Sequence, residues 1–418
     1  MALLLNIYTN PGFALYIKHL DVLAFAPHAS RSFEMWCLMR AISAMRNLRT
    51  FRWYTSRKAY MVPSDMLLEI LFLSCVRLRD CSLPFECVDA LVDLELVPCH
   101  FTGLALQVLP MGRHETDLDE ALYERCWYNF RCVLENFTQL PVTKLSIPGQ
   151  AATLSPPKRT LRDLTHLALR NARYLGYVNR VFELCVRLES LWISCHDYDD
   201  EFEASELFGV LKAHPNALPR LTHLKLALCA SHEQSMDVIA AFVAPKKRLR
   251  CFDWDDLSVS VAQLSPLLAV FPSLPALEVL GLHLLVDDDD MAEWMVSGKL
   301  IAFIPHRATA LRFSLDYFDV HVPQGRCWQE LWERVANLGF LCISDLKDTP
   351  ITQTHDLAAS AKSLKVLGHC ELFYDVEHTD GEVVLSQPWS LTKTTFRSVD
   401  DFGDEDWEWL VRGHSFSI

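Results

Sequence analysis

Apolar residues fall along this chain in a recurring phrase, apolar-x-x-apolar-x-apolar, with polar or small residues in the gaps. The phrase is clearest at Leu164-Thr165-His166-Leu167-Ala168-Leu169, which returns as Leu221-Thr222-His223-Leu224-Lys225-Leu226, with Leu188-Glu189-Ser190-Leu191-Trp192-Ile193 between them. Such alternation belongs to a short strand, whose successive side chains point to opposite faces. One strand of this length cannot bury its apolar side alone, and it does so by stacking on the strand of the next repeat. Starts of the phrase fall at Ile17, Leu48, Leu78, Leu91, Val142, Leu164, Leu188, Leu221, Leu249, Leu277, Ala308, Leu338, Leu364 and Leu391. From Leu188 onward the steps are 33, 28, 28, 31, 30, 26 and 27 residues. Each step holds one strand, a turn, a short helix and the return. Helical spacing occupies those intervals, at 177–188, 203–213, 233–242, 291–301 and 327–336.

The N-terminal third, 1–147, is less regular. Leu78 and Leu91 stand only 13 residues apart, and the next start waits until Val142. Within that gap Leu118, Leu122, Cys126, Phe130, Val133, Leu134 and Phe137 follow a three-and-four spacing, which predicts an inserted amphipathic helix over about 113–138. Residues 148–160, rich in Pro and small side chains, read as a surface loop, and 161–399 as the regular repeats. The same phrase on both sides of the loop predicts one continuous unit over 1–418. The end of a repeat stack exposes core, so 400–418 is expected to form a cap: Trp407, Trp409, Leu410 and Val411 would cover it. Asp400, Asp401, Asp404, Glu405 and Asp406 would face solvent.

Composition narrows the function. Half of the residues are hydrophobic, enough for a large core, and the net charge of −14 opposes a phosphate backbone. No nucleic-acid ligand is expected. No apolar run reaches the roughly 18 residues that cross a bilayer, so no membrane role is expected either and the location is read as cytoplasmic or nuclear. The 14 cysteines lie mostly in apolar surroundings and read as buried thiols.

Motifs for chemistry are missing. The glycines are never closer than nine positions, at Gly103 and Gly112, so no phosphate-cradling loop is written here. Cysteine pairs come no closer than six positions, unlike the tight spacing of structural zinc sites. Neither a Gly-x-Ser-x-Gly elbow nor a His-Glu-x-x-His helix occurs. No catalytic, cofactor or metal residue is assigned. Asp287 to Asp290 precede a predicted helix, where carboxylates favour the helix N-terminus. Asn136-Phe137-Thr138 fits a glycosylation acceptor, but Phe137 belongs to the apolar helix face.

The phrase, its step and the intervening helices resemble leucine-rich repeats, in a loose form without an asparagine ladder. The implied fold class is α/β, a leucine-rich-repeat solenoid with a curved parallel sheet on the inner face and short helices outside. Asn10-Pro11 followed by Tyr16-Ile17-Lys18-His19-Leu20-Asp21-Val22 resembles the opening of the repeat region in fungal F-box-like proteins of mushroom-forming species. That resemblance implies a protein-interaction module akin to the substrate-recognition region of a ubiquitin-ligase receptor. The chain begins where the F-box of that family would have ended, so binding of a Skp-type adaptor and cullin is not carried over. The segment from Val62 to Leu71 resembles an F-box opening helix, yet its place between two strand starts makes it a repeat helix. Two other readings stay open: an enzyme or enzyme activator with a site in the irregular 78–157 region, and an orphan scaffold.

With positions one, four and six of the phrase in the core, positions three, five and seven line the inner face. They are His166, Ala168 and Arg170, then Ser190, Trp192 and Ser194, then His223, Lys225 and Ala227. Cys251, Asp253 and Asp255 follow, then Val279, Gly281 and His283, then Ala310, Arg312 and Ser314. Trp and Arg carry a disproportionate share of binding energy at interfaces. Trp192 is therefore the leading partner-binding candidate, with Arg170, Lys225, Asp253 and Arg312 beside it, for an unknown protein partner.

Overall fold

The computed structural model describes residues 2–24, 31–55, 62–93, 101–107, 128–133, 135, 141–149, 157–172, 175–176, 178–195, 204–228, 235–256, 259–286, 298–317, 326–345, 358, 361–369, 372–379, 382–412 and 414. The chain divides into two compact units, with the main break after Leu188.

In the first unit the strands are β1 (His19–Ala24), β2 (Thr50–Thr55), β3 (Asp80–Pro84), β4 (Gly103–Gln107), β5 (Lys144–Pro148) and β6 (His166–Ala172). Each pairs in parallel with the next. The second unit continues with β7 (Ser190–Cys195), β8 (His223–Ala227), β9 (Cys251–Asp255), β10 (Val279–Val286), β11 (Ala310–Tyr317), β12 (Phe340–Asp345) and β13 (Val366–His369), again parallel in chain order. Parallel neighbours in chain order, joined by short helices, are the leucine-rich-repeat form of an α/β fold.

Strands begin two residues after every predicted start except Leu91 and Leu391. Leu91 lies in the helix Val88–Asp93, and Leu391 opens the helix Leu391–Thr395 behind the Ser390 cap. Both carry leucine at spacings that suit a helical turn as well as a strand. The strand that Leu91 was expected to begin is β4, whose phrase is Phe101-x-x-Leu104-x-Leu106 with an aromatic in first place; all three apolar positions are buried. The pattern also gave no sign of β14 (Leu372–Thr379) and β15 (Glu382–Leu385), which turn back antiparallel after β13.

One hydrogen-bond arrangement sets the register. The carbonyl at the second position of a phrase accepts from the amides at positions two and three of the next: Glu189 O from Thr222 N (2.8 Å) and His223 N (3.0 Å), and Thr222 O from Arg250 N (2.8 Å) and Cys251 N (3.0 Å). At Thr165, Thr222 and Thr309 the hydroxyl of the position-two threonine adds a bond to the same carbonyl. Thr165 and Thr222 thus serve where an asparagine ladder is lacking, and the near-identity of their two phrases has a structural cause.

The helices stack on one another as the strands do. Asp65–Ser74, which overlaps the segment that resembles an F-box opening, is capped by Ser64 and packs on Arg31–Ala44 as a repeat helix. Val261–Leu268 opens with a Ser260–Gln263 capping box. Residues 128–133, within the expected insertion, are helical with Phe130 and Val133 buried. The rest of that insertion, nearly all of the 148–160 loop, Asp287 to Asp290 and Asn136 lie outside the described residues. Eight cysteines among the described residues are free thiols, seven of them buried.

The C-terminal residues do not cap the end of the stack. After β15 the chain forms Leu391–Thr395, Val399–Phe402 and Glu405–Val411, and the last of these packs on β9, β10 and β11. Trp407, Trp409, Leu410 and Val411 join Cys251, Val279, Ala310, Phe340 and Val366 in one buried cluster. Beyond β13 the sheet is extended by the antiparallel β14 and β15, and the aromatic tail buries its apolar side on the sheet face.

Candidate functional site

The strand register builds the site in rows. Trp192, Lys225, Asp253, Gly281, Arg312 and Cys342 are successive partners across β7 to β12. Asp253 and Arg312 are two strands apart, yet Arg312 donates from Nη2 to Asp253 Oδ1 at 2.9 Å and from Nε at 3.3 Å. Glycine at 281 makes this possible: a Cβ there would overlap the Asp253 carboxylate and crowd Leu410. From the other side Lys225 Nζ reaches Asp253 Oδ2 at 2.9 Å. All three charged groups are at most 3% exposed.

The tail completes this cluster. Lys225 Nζ donates to the carbonyls of Trp409 (3.1 Å), Leu410 (3.0 Å) and Arg412 (2.8 Å). The last carbonyls of a helix have no partner within it and carry its negative end, so a buried ammonium there answers both needs. The ammonium also lies 5.3 Å from the Trp192 ring centre and 4.9 Å from that of Trp409, held between the two aromatics. His414 then sets Nε2 2.8 Å from Asp253 Oδ2 and Nδ1 3.2 Å from Asp255 Oδ2, while His283 Nδ1 is 2.7 Å from Asp255 Oδ1.

The electrostatics follow from this packing. Burial pushes the Asp253 carboxyl up, but Arg312, Lys225 and His414 more than reverse it and hold it far below the usual carboxylate range. Burial likewise opposes charge on Asp255, and Arg312, His283 and His414 hold it well below that range. Burial lowers Lys225, with Asp253 offsetting part of the effect. Burying a carboxylate and two cations costs several kcal/mol per ion unless each is paired and hydrogen-bonded. Here the tail supplies a share of that pairing.

Beside the charged row stand His223, Cys251 and Asp406. His223 and Cys251 are register partners on β8 and β9, and Asp406 comes from the first turn of Glu405–Val411. Asp406 Oδ1 is 3.0 Å from His223 Nε2, and its Oδ2 accepts from Arg250 Nη2 at 2.7 Å. Burial, and next the Asp406 carboxylate, push the Cys251 thiol far above its ordinary value, which is the reverse of an activated nucleophile.

The candidates read from the sequence therefore divide. Lys225, Asp253 and Arg312 meet in one cluster beside Trp192, but they are covered by the chain's own C-terminal segment rather than lining an open face. The register that placed them on the inner face is the observed one, and what covers them could not be read from the strands. Trp192 is half-buried. Arg170 stands on β6 in the first unit, half-buried, its guanidinium lowered by burial with Tyr54 opposing. Asp406, Trp409, His414 and Arg250 were not among the candidates, although the apolar spacing of Trp407, Trp409, Leu410 and Val411 already marked the tail as a segment needing a surface.

No protein-family model matches the chain, and no curated protein sequence is significantly similar to it. Among solved structures, the leucine-rich repeat-containing protein LegL7 from Legionella pneumophila aligns at 15% identity with a TM-score of 0.39, over 78% of this chain and 91% of that one. The leucine-rich-repeat assignment rests on the strand order and the repeat register described above. No helix among the described residues is long and apolar enough to cross a membrane.

Proposed function

We propose that this chain is a protein-interaction module, and that the second unit's sheet face around Trp192, Lys225, Asp253 and Arg312 selects a short helical segment with an aromatic side and an acidic first turn. The observation that supports this reading is that the face already holds such a segment: Glu405–Val411, with Asp406 buried against His223 and Arg250, Trp407 and Trp409 buried, and its last carbonyls on Lys225. A partner with the same chemistry would compete with the tail for the same groups. Preformed polar contacts inside an aromatic rim are the arrangement in which anchors contribute most to affinity.

The finer reading is that the module is the substrate-recognition part of an F-box-type ubiquitin-ligase receptor. Its support is the resemblance of Asn10-Pro11 and the stretch from Tyr16 to Val22. Recovery of a Skp-type adaptor and a cullin with the full chain from native cells would support it, and their consistent absence would sink it.

The face itself is tested by inserting a protease site between Arg397 and Ser398 in the full chain and cutting it. The severed tail should stay bound and exchange slowly with an added fluorescent peptide of residues 398–414, and Trp192→Ala should speed that exchange. Immediate loss of the tail without rebinding would overturn the reading.

A further inference from the structure

We propose that His223, Cys251 and Asp406 form a zinc site that clasps the C-terminal segment to the sheet. A ring nitrogen of His223, the Cys251 Sγ and a carboxylate oxygen of Asp406 all lie within 4.8 Å of one another. In a tetrahedral zinc centre, bonds of about 2.0–2.3 Å put ligand atoms roughly 3.3–3.8 Å apart. His223 and Asp406 already stand 3.0 Å apart, and the Cys251 thiol lies within 4.8 Å of both.

Three further features fit a metal. The non-ligating side of two of the three groups is held: His223 Nδ1 is 2.8 Å from Thr222 Oγ1, and Asp406 Oδ2 is 2.7 Å from Arg250. Such outer partners fix the orientation of metal ligands. Arg250 itself is balanced by Glu278 at 3.4 Å. Second, the donor set of one thiolate, one imidazole and one carboxylate suits zinc, whereas magnesium and calcium take oxygen alone. Third, the His223 and Asp406 side chains remain 20% and 12% exposed, so the fourth position can be filled by water.

Two ligands come from adjacent strands and one from the tail, so the metal would bind only the docked arrangement and stabilise it by linkage. This holds whether or not the face takes a partner.

The test uses the full chain, reduced and stripped with chelator, then titrated with Co²⁺. One Co²⁺ per chain is expected, with a sulfur-to-cobalt charge-transfer band that Zn²⁺ abolishes by displacement. Because the chain has 14 cysteines, Cys251→Ser is the deciding variant, and it should remove the band. Asp406→Asn and His223→Gln should abolish stoichiometric uptake. Thr222→Val, which leaves all three ligands in place, should weaken it by about tenfold or more. As an independent readout, Zn²⁺ should slow amide exchange of residues 405–411 in the parent chain and not in Cys251→Ser. No stoichiometric uptake by the parent, or a band unchanged in Cys251→Ser, would overturn the proposal and leave the three groups as a hydrogen-bonded cluster.

Discussion

Replacing Lys225 with Met tests whether one buried ammonium holds the C-terminal segment on the sheet. Methionine keeps much of the stem's bulk and removes only the charge and its donors. The change strips the donor from the carbonyls of Trp409, Leu410 and Arg412 and takes one of the cationic partners from Asp253. Asp253 keeps Arg312 and His414, so its charge is not orphaned. Breaking a buried pair costs about 3–5 kcal/mol, and relief of the lysine's own desolvation returns part of that. A net loss of about 3 kcal/mol for the docked tail corresponds to roughly a hundredfold rise in its open fraction. Hydrogen exchange read by mass spectrometry over residues 404–412 should show that loss of protection. Strands β2 to β5 of the first unit serve as an internal standard and should be unchanged. Equal loss of protection in β2 to β5 would mean general destabilisation, and unchanged protection of 404–412 would refute the role assigned to Lys225.

Gly339→Ala removes no interacting group, yet its Cβ would overlap the Trp407 indole; it should loosen the tail by about 1–3 kcal/mol, seen as faster tail exchange with little change at β7 and β8. Trp192→Ala removes one of the two rings flanking Lys225, a loss of about 1 kcal/mol, and should raise tail release several-fold; no change would remove Trp192 from the site. Acid should release the tail late. Burial raises the Asp406 carboxyl, but His223 and Arg250 bring it below 3.8, and Asp253 and Asp255 are lower still. Folded values below the unfolded one mean a contribution fully present above the ordinary carboxylate range and lost as pH falls through the depressed values. Tryptophan fluorescence should therefore report a docked tail at about pH 4.5 and release only below about pH 3.8, and a midpoint above pH 5 would contradict the ion pairing. Leu221→Ala, at a fully packed first position of the phrase, should cost about 2–5 kcal/mol in chemical denaturation of the second unit.

The repeat phrase alone determined the parallel strands other than β4, their order and their register, because an alternation that recurs near 28 residues can bury its leucines only by stacking like on like. It therefore put Trp192, Lys225, Asp253, Gly281 and Arg312 in one row from β7 to β11. It failed where the apolar residue was phenylalanine, at Phe101, and where leucines served a helix, at Leu91 and Leu391, and it gave no sign of the antiparallel β14 and β15. Three-dimensional packing decided the rest. Whether Lys225 and Asp253 face solvent depends on residues more than 150 positions later, and no local pattern records that Trp409 and His414 return to them. A charged row over a glycine gap is too polar to be core and too closely paired to be plain surface; only a covering segment that brings its own carbonyls, imidazole and indoles makes it stable. That segment was legible as an acidic aromatic tail, and its place was set by which exposed surface of the folded chain it could satisfy.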